Sequence, residues 1–106
     1  MAAEIIREKL IVLTHDELPY STAVVIDRFE ESEKIYRIYA TIFVERDSQK
    51  SIVIGKGGLL LKEVGTAARH ELESLFGLKV YLELHVKVSK GWRDDESTLT
   101  NLGFTE

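Results

Sequence analysis

Residues 52–62 read Ile52-Val53-Ile54-Gly55-Lys56-Gly57-Gly58-Leu59-Leu60-Leu61-Lys62, an apolar run, a glycine cluster and then the start of a helix. Glycine at positions 55, 57 and 58 permits backbone angles closed to other residues and lets another chain approach without a Cβ in the way. The free N–H groups at the start of the following helix, at its positive dipole end, suit a phosphate or another anion. Lys56 at the tip adds a mobile positive charge, and Lys62 falls within the first turn or so of the helix. A tight connection that holds no ligand is the alternative reading of the same glycines.

Two nucleotide motifs fail on spelling. A P-loop needs a glycine, four residues and then Gly-Lys-Ser/Thr, and no such string occurs. The dinucleotide fingerprint needs glycine three residues after Gly57, where Leu60 stands.

Working outward, Leu61, Val64, Ala68, Leu72 and Leu75 recur at three- and four-residue intervals, and Phe76-Gly77 supplies a last apolar residue and a glycine cap. The spacing predicts a long helix over 59–76. Its interior Gly65 costs about 1 kcal/mol relative to alanine, so a close approach of another backbone is expected there. Ser51-Ile52-Val53-Ile54 is too short to separate a buried strand from one turn of buried helix.

Lys79 to Val88 alternates sharply, with Val80, Leu82, Leu84, Val86 and Val88 inward and Lys79, Tyr81, Glu83, His85 and Lys87 outward. Ile35 to Arg46 alternates too: Tyr36, Ile38, Ala40, Ile42 and Val44 form the core face, opposite Arg37, Tyr39, Thr41 and Phe43. Thr22 to Phe29 reads as a strand through β-branching, and the polar Glu30–Lys34 segment makes a hairpin with the strand after it. Ile6, Leu10 and Leu13 mark an amphipathic N-terminal helix over residues 2–14, which Asp16–Ser21, with Pro19, breaks. Ser89–Trp92 reads as loop, and Glu96 to Leu102 as a short helix in the 89–106 tail. The order predicts one α+β domain over 1–106, a three-stranded sheet with helices on one face.

The 106 residues are 44% hydrophobic with a single proline, enough for one core. A net charge of −4 argues against indiscriminate coating of nucleic acid. The charge is uneven, however. Residues 46–70 carry 5 basic and 2 acidic side chains, an excess of +3 around the glycine turn, which fits either an anion site or a solvated face. Cysteine is absent, which fits a reducing compartment, and neither a membrane span nor a signal peptide is expected. The cytoplasm is the default location.

With its neighbours, the glycine string becomes specific. IVIGKGGLLLKEVG, residues 52–65, resembles the KH signature, in which a G-x-x-G loop clamps about four nucleotides of single-stranded nucleic acid. The element order resembles the type II KH fold, helix-strand-strand-helix-helix-strand, and on that resemblance 48–76 is a short helix, the GKGG loop and the long helix. More narrowly, Glu4-Ile5-Ile6-Arg7-Glu8-Lys9, Glu17-Leu18-Pro19-Tyr20-Ser21, Val44-Glu45-Arg46-Asp47-Ser48-Gln49-Lys50 and Leu82-Glu83-Leu84-His85-Val86-Lys87-Val88, with Trp92 after them, resemble the C-terminal KH domain of the Era family of ribosome-assembly GTPases.

That resemblance implies single-stranded ribosomal RNA as the partner, at the 3′ end of the small-subunit RNA, and a role in small ribosomal subunit assembly. It also implies a GTPase domain in the parent protein as a further partner, which would hold GTP and magnesium; none of these cofactors, and no catalytic residue or metal ligand, is expected in this chain. With no P-loop, the chain reads as an excised domain of a bacterial, cytoplasmic parent, for which the family also allows peripheral association with the inner membrane.

Carried over by residue, Gly55, Lys56, Gly57 and Gly58 match the clamp loop, and Lys50 matches a position flanking the groove. Ile52, Ile54 and Val64 would line an apolar floor under the bases, with ordinary core as the alternative. Lys62, Thr66 and Arg69, at i, i+4 and i+7, make one polar stripe that follows an RNA backbone or is plain solvated surface.

Tyr39, Phe43 and Tyr81 lie on the polar side of the sheet, where exposed aromatics can stack bases as in RRM domains. The element order is not that of an RRM, so partial cover by a neighbouring domain or the C-terminal segment is expected instead. Glu83 and His85 share a strand face without a third metal ligand, and His15, His70 and His85 lack the partners of a nucleophilic triad. A second reading of the whole chain is a docking domain for a GTPase domain or ribosomal protein, with RNA binding incidental.

Overall fold

A computed structural model describes residues 1–14 and 22–89. The expected break over Asp16–Ser21, His15, Trp92 and the C-terminal helix over Glu96–Leu102 lie outside them. The described elements are α1 (Ala2–Leu13), β1 (Thr22–Glu31), β2 (Ile35–Val44), α2 (Asp47–Ile54), α3 (Leu59–Phe76) and β3 (Lys79–Val88), with a single 3₁₀ turn over Lys56–Gly58 between α2 and α3. The ambiguous Ser51–Ile54 run is the second half of α2.

The strand order is β1-β2-β3, with β1 antiparallel to β2 and β2 parallel to β3. A parallel pair needs a crossover, and α2, the turn and α3 supply it. β2 is therefore the central strand and β3 an edge. Ile38, Ala40, Ile42 and Val44 of β2 are fully buried, meeting Ile6 and Leu10 of α1, Val53 of α2, and Val64, Ala68 and Leu72 of α3. Each buried Leu, Ile or Val contributes about 1.5–3 kcal/mol through the water it sheds. The predicted face of α1 is wider than Ile6, Leu10 and Leu13, since Ala2 and Ile5 are buried as well.

β1 contains a bulge between Ile26 and Arg28. Val24 and Ile26 point to the helices before it, and the extra residue Asp27 reverses the parity after it. Phe29 thus turns to the helix side, with ring centroids 5.5 Å from Tyr36 and 6.0 Å from Phe76. Arg28 turns outward. Thr41 lies on the face opposite the core, as its alternation predicts, yet it is 3% exposed, and its hydroxyl donates to the Asp27 carboxylate at 2.6 Å.

Tight geometry closes the other connections. The Ser32 hydroxyl donates to the Ile35 carbonyl at 2.6 Å to seal the hairpin. Gly77 ends α3 in the left-handed conformation (φ 70°), its N–H reaching the Glu73 carbonyl. Gly65 departs from expectation, because its neighbour is the Leu84 side chain, 3.6 Å from where a Cβ would stand, and no backbone approaches.

Candidate nucleic-acid interface

α2 starts where the Gln49 side-chain oxygen accepts from the backbone N–H groups of Glu45 and Arg46, at 2.9 and 3.0 Å. It stops at Gly55, whose N–H donates to the Ser51 carbonyl and whose angles (φ 75°, ψ 177°) lie in a region open essentially to glycine alone. Gly57 (φ 63°, ψ 19°) and Gly58 (φ 79°, ψ 8°) are left-handed, so the chain reverses within four residues, and Gly58 N–H closes the turn on the Gly55 carbonyl at 3.2 Å. Lys56 and Gly57 are exposed at the tip.

α3 begins at Gly58 with no side chain capping its first turn. The Gly58 and Leu59 N–H groups are engaged within the turn, on the Gly55 and Lys56 carbonyls, and the dipole of an 18-residue helix favours an anion at this end.

A groove of about 400 Å³ runs from the turn along the side of α3. Gly58, Leu61, Lys62, Gly65, Thr66 and Arg69 form one wall, and Leu82, Glu83 and Leu84 of the edge strand β3 form the other. The stripe of Lys62, Thr66 and Arg69 expected from spacing shares this wall. Leu61, Leu82 and Leu84 make an apolar strip in the groove, with the charge of Lys62 on its wall and that of Lys56 at the turn.

Glu83 of the groove and Glu73, one turn beyond Arg69 on α3, are both held in place. Glu73 accepts from the Val80 backbone N–H at 3.0 Å and from the Arg69 guanidinium at 3.1 Å, pinning α3 to the start of β3. The Val80 hydrogen bond, helped by Arg69, keeps its carboxyl below the ordinary value. Glu83 accepts from His85 at 2.8 Å and from the Tyr81 hydroxyl at 2.9 Å; first the His85 bond and then the Tyr81 bond hold its pKa down. The Glu83 carboxylate in turn pushes the Tyr81 hydroxyl up. Arg69, half-buried and tied to Glu73 and His70, offers less free charge than Lys62.

The expected site residues divide. Gly58, Lys62 and Arg69 line the groove, and Gly55, Lys56 and Gly57 form the turn at its end. Lys50, Ile52 and Ile54 are half-buried on α2, before the turn, and are not part of the groove wall. Val64 has 0% exposure, so it is packing beneath the floor and not a surface for bases. Sequence reasoning did not identify the β3 wall of Leu82, Glu83 and Leu84, because that depends on β3 being the edge strand. The alternation of β3 placed those side chains by face only.

Comparison with known proteins agrees with this architecture. The family model of the KH domain matches residues 17–93. The GTPase Era of Coxiella burnetii is 58% identical over 106 residues, covering 100% of this chain and 36% of that protein. The GTPase Era of Geobacter metallireducens is 56% identical over 107 residues, again across 36% of its length. The chain thus spans about a third of the curated relatives it matches. Among solved structures, a variant of Aquifex aeolicus Era bound to GDP and aluminium tetrafluoride superposes with a TM-score of 0.87 at 42% identity, covering 99% of this chain and 36% of that one. Era in complex with MgGDPNP and nucleotides 1506-1542 of 16S ribosomal RNA gives the same TM-score, identity and coverage.

Proposed function

The chain belongs to the KH domain family, and on that premise we propose that it binds single-stranded RNA at the 3′ end of the small-subunit ribosomal RNA, as the RNA-binding part of an Era-type GTPase in small-subunit assembly. The observation that carries this reading is the uncapped start of α3, presented by the Gly55–Gly58 turn at the end of a groove that combines apolar floor and basic wall.

The turn takes a phosphate at the positive end of α3 with Lys56 beside it. Lys62 and Thr66 follow the next sugar-phosphates along α3. Bases lie over Leu61, Leu82 and Leu84, where Glu83 accepts hydrogen bonds from amino or imino groups and backbone groups of β3 read base edges. A clamp of about four nucleotides meets few phosphates, so affinity depends only weakly on salt. GTP and magnesium belong to the part of the parent protein that lies outside this chain.

The test is a double substitution, Lys56→Asp with Gly57→Asp. The tip is exposed and aspartate tolerates left-handed backbone, so circular dichroism should show an unchanged fold. Fluorescence anisotropy with RNA carrying the 16S 3′ sequence should show binding by the unsubstituted chain and at least tenfold weaker binding by the variant. Equal binding by both would remove the clamp.

A further inference from the structure

The sheet face turned away from the helices is closed at one end and open at the other. Across the closed end, Ala23 of β1 and Lys87 of β3 flank Phe43 of β2 in one row, and Val25 and His85 flank Thr41 in the next. Ala23 is 5% exposed and Thr41 3%, while Val25 and Phe43 are half-buried and form with Ala23 an apolar cluster separate from the main core. At the open end Tyr81 is 44% exposed, and Arg28 and Arg37 are exposed beside it.

The sheet and helices do not account for this difference. β1 is an edge strand, so Ala23 has a neighbouring strand on one flank only and would stand open on the other. The helices pack on the opposite face, where the main core lies. Among the described residues the apolar neighbours of Ala23 are Val25 and Phe43 alone. The remaining stretches of the chain are 15–21 and 90–106.

Position and composition favour 90–106. The Ser89 N–H donates to the Val44 carbonyl at 2.8 Å, so the chain leaves β3 at the closed end, just past the row of Lys87, Phe43 and Ala23. Trp92 comes three residues later, and an extended chain of that length reaches about 10 Å, or two strand spacings. That is enough to cross Phe43 to Ala23. Tyr39 lies four residues further back along β2, about 13 Å from Phe43, and is out of reach. Leu99, Leu102 and Phe104 follow Trp92 and add apolar surface. Residues 15–21, by contrast, have to return the chain from the end of α1 to Thr22.

We propose that the 90–106 segment docks back on the outer face of the sheet, with Trp92 covering Ala23, Val25 and Phe43. The chain then closes this end of the face itself and leaves only the Tyr81 end free. Docking also holds β3, an edge strand with β2 as its one strand neighbour, at the point where it leaves the sheet.

Trp92 is the only tryptophan of the chain, so its fluorescence reports this contact directly. In the folded 106-residue chain its emission should lie to the blue of that in urea, and acrylamide should quench it several-fold less efficiently than in urea. Phe43→Ala and Ala23→Glu should move the emission to the red and raise the quenching, whereas Tyr81→Ala, at the open end, should leave both unchanged. Val25→Thr keeps the β-branched shape and gives the same readout with the least disturbance of the strand.

A Trp92 as accessible in the folded chain as in urea overturns the proposal without any variant. So does a shielded Trp92 that is indifferent to Phe43→Ala, Ala23→Glu and Val25→Thr in chains whose circular dichroism is native. An emission that shifts to the red on dilution overturns it as well, and makes a second copy of the chain the source of the cover.

Discussion

Gly55 and Leu60 approach so closely that a Cβ on Gly55 would stand 2.6 Å from the Leu60 Cβ and 2.9 Å from the Leu60 amide nitrogen. The three glycines of the turn are therefore not equivalent. Gly57 and Gly58 have nothing within 4 Å of a built Cβ, and their left-handed angles suit asparagine. Gly55→Ala combines a clash with angles reserved for glycine and should lose about 3 kcal/mol of stability together with RNA binding. Gly57→Asn should lose less than about 1 kcal/mol. Urea denaturation of the two variants measures the contrast, and equal losses would mean that Leu60 does not constrain the turn.

Gly65 makes the opposite case. An added methyl would meet only Leu84 Cδ1, at an ordinary 3.6 Å, and alanine is the better helix former. Gly65→Ala should raise stability by about 0.5–1 kcal/mol. The same methyl would project from the groove wall, so RNA affinity should fall while the melting temperature rises. A variant that gains stability and keeps full affinity would show that the strand does not press against α3 at this point.

The Glu73 carboxyl sits below its ordinary value of 4.5, chiefly through the Val80 N–H. A depressed acid stabilises the fold above the unfolded-state pKa and loses that contribution as pH falls through the folded-state value. Stability should therefore decline below about pH 4.5. In Glu73→Gln, which keeps an acceptor for Val80 without a titrating group, this part of the decline should be missing. Denaturant midpoints from pH 7 down to pH 3 give the comparison, with the gap between the two proteins narrowing as the acid protonates. Parallel curves would rule out Glu73 as a source of acid sensitivity.

Thr41→Val removes the hydroxyl that donates to Asp27 while keeping the buried shape. Because Asp27 is exposed and can turn to water, the loss should be about 1 kcal/mol. Deleting Asp27 should cost little more, since Ile26 and Arg28 already pair with the adjacent β2 residues Ala40 and Tyr39, so closing the bulge leaves Arg28 outward and Phe29 on the helix side. Thermal unfolding of both variants tests this, and a deletion several times worse than Thr41→Val would mean that the bulge holds the strand by more than its hydrogen bond to Thr41.

The sequence made the regular parts of this fold readable. β2 and β3 alternate at period two over ten residues each, and the apolar positions of α3 repeat without a gap. β1 was legible as a strand but not in its facing, because the one-residue parity change at Asp27, after the unbroken apolar run Ala23-Val24-Val25-Ile26, leaves no mark in composition. The face of Thr41 was legible but its burial was not, because its partner lies fourteen residues away across the hairpin. The loop glycines stood out, yet which of them is irreplaceable depends on where Leu60 packs. Val64 and Ile52 are both apolar and next to the loop; only packing shows that the first is wholly buried and the second partly open.

The parallel pairing of β2 with β3 also carries a kinetic consequence. Val44 cannot find its partner Val88 until the whole segment through α2, the glycine turn and α3 has folded back, so closing that long loop is the entropically demanding step of assembly. The Gly55–Gly58 turn, proposed as the RNA clamp, is thus also a corner the chain must round before its sheet is complete. Substitutions there should register in the refolding rate, and selection on the clamp acts on foldability as well as on affinity.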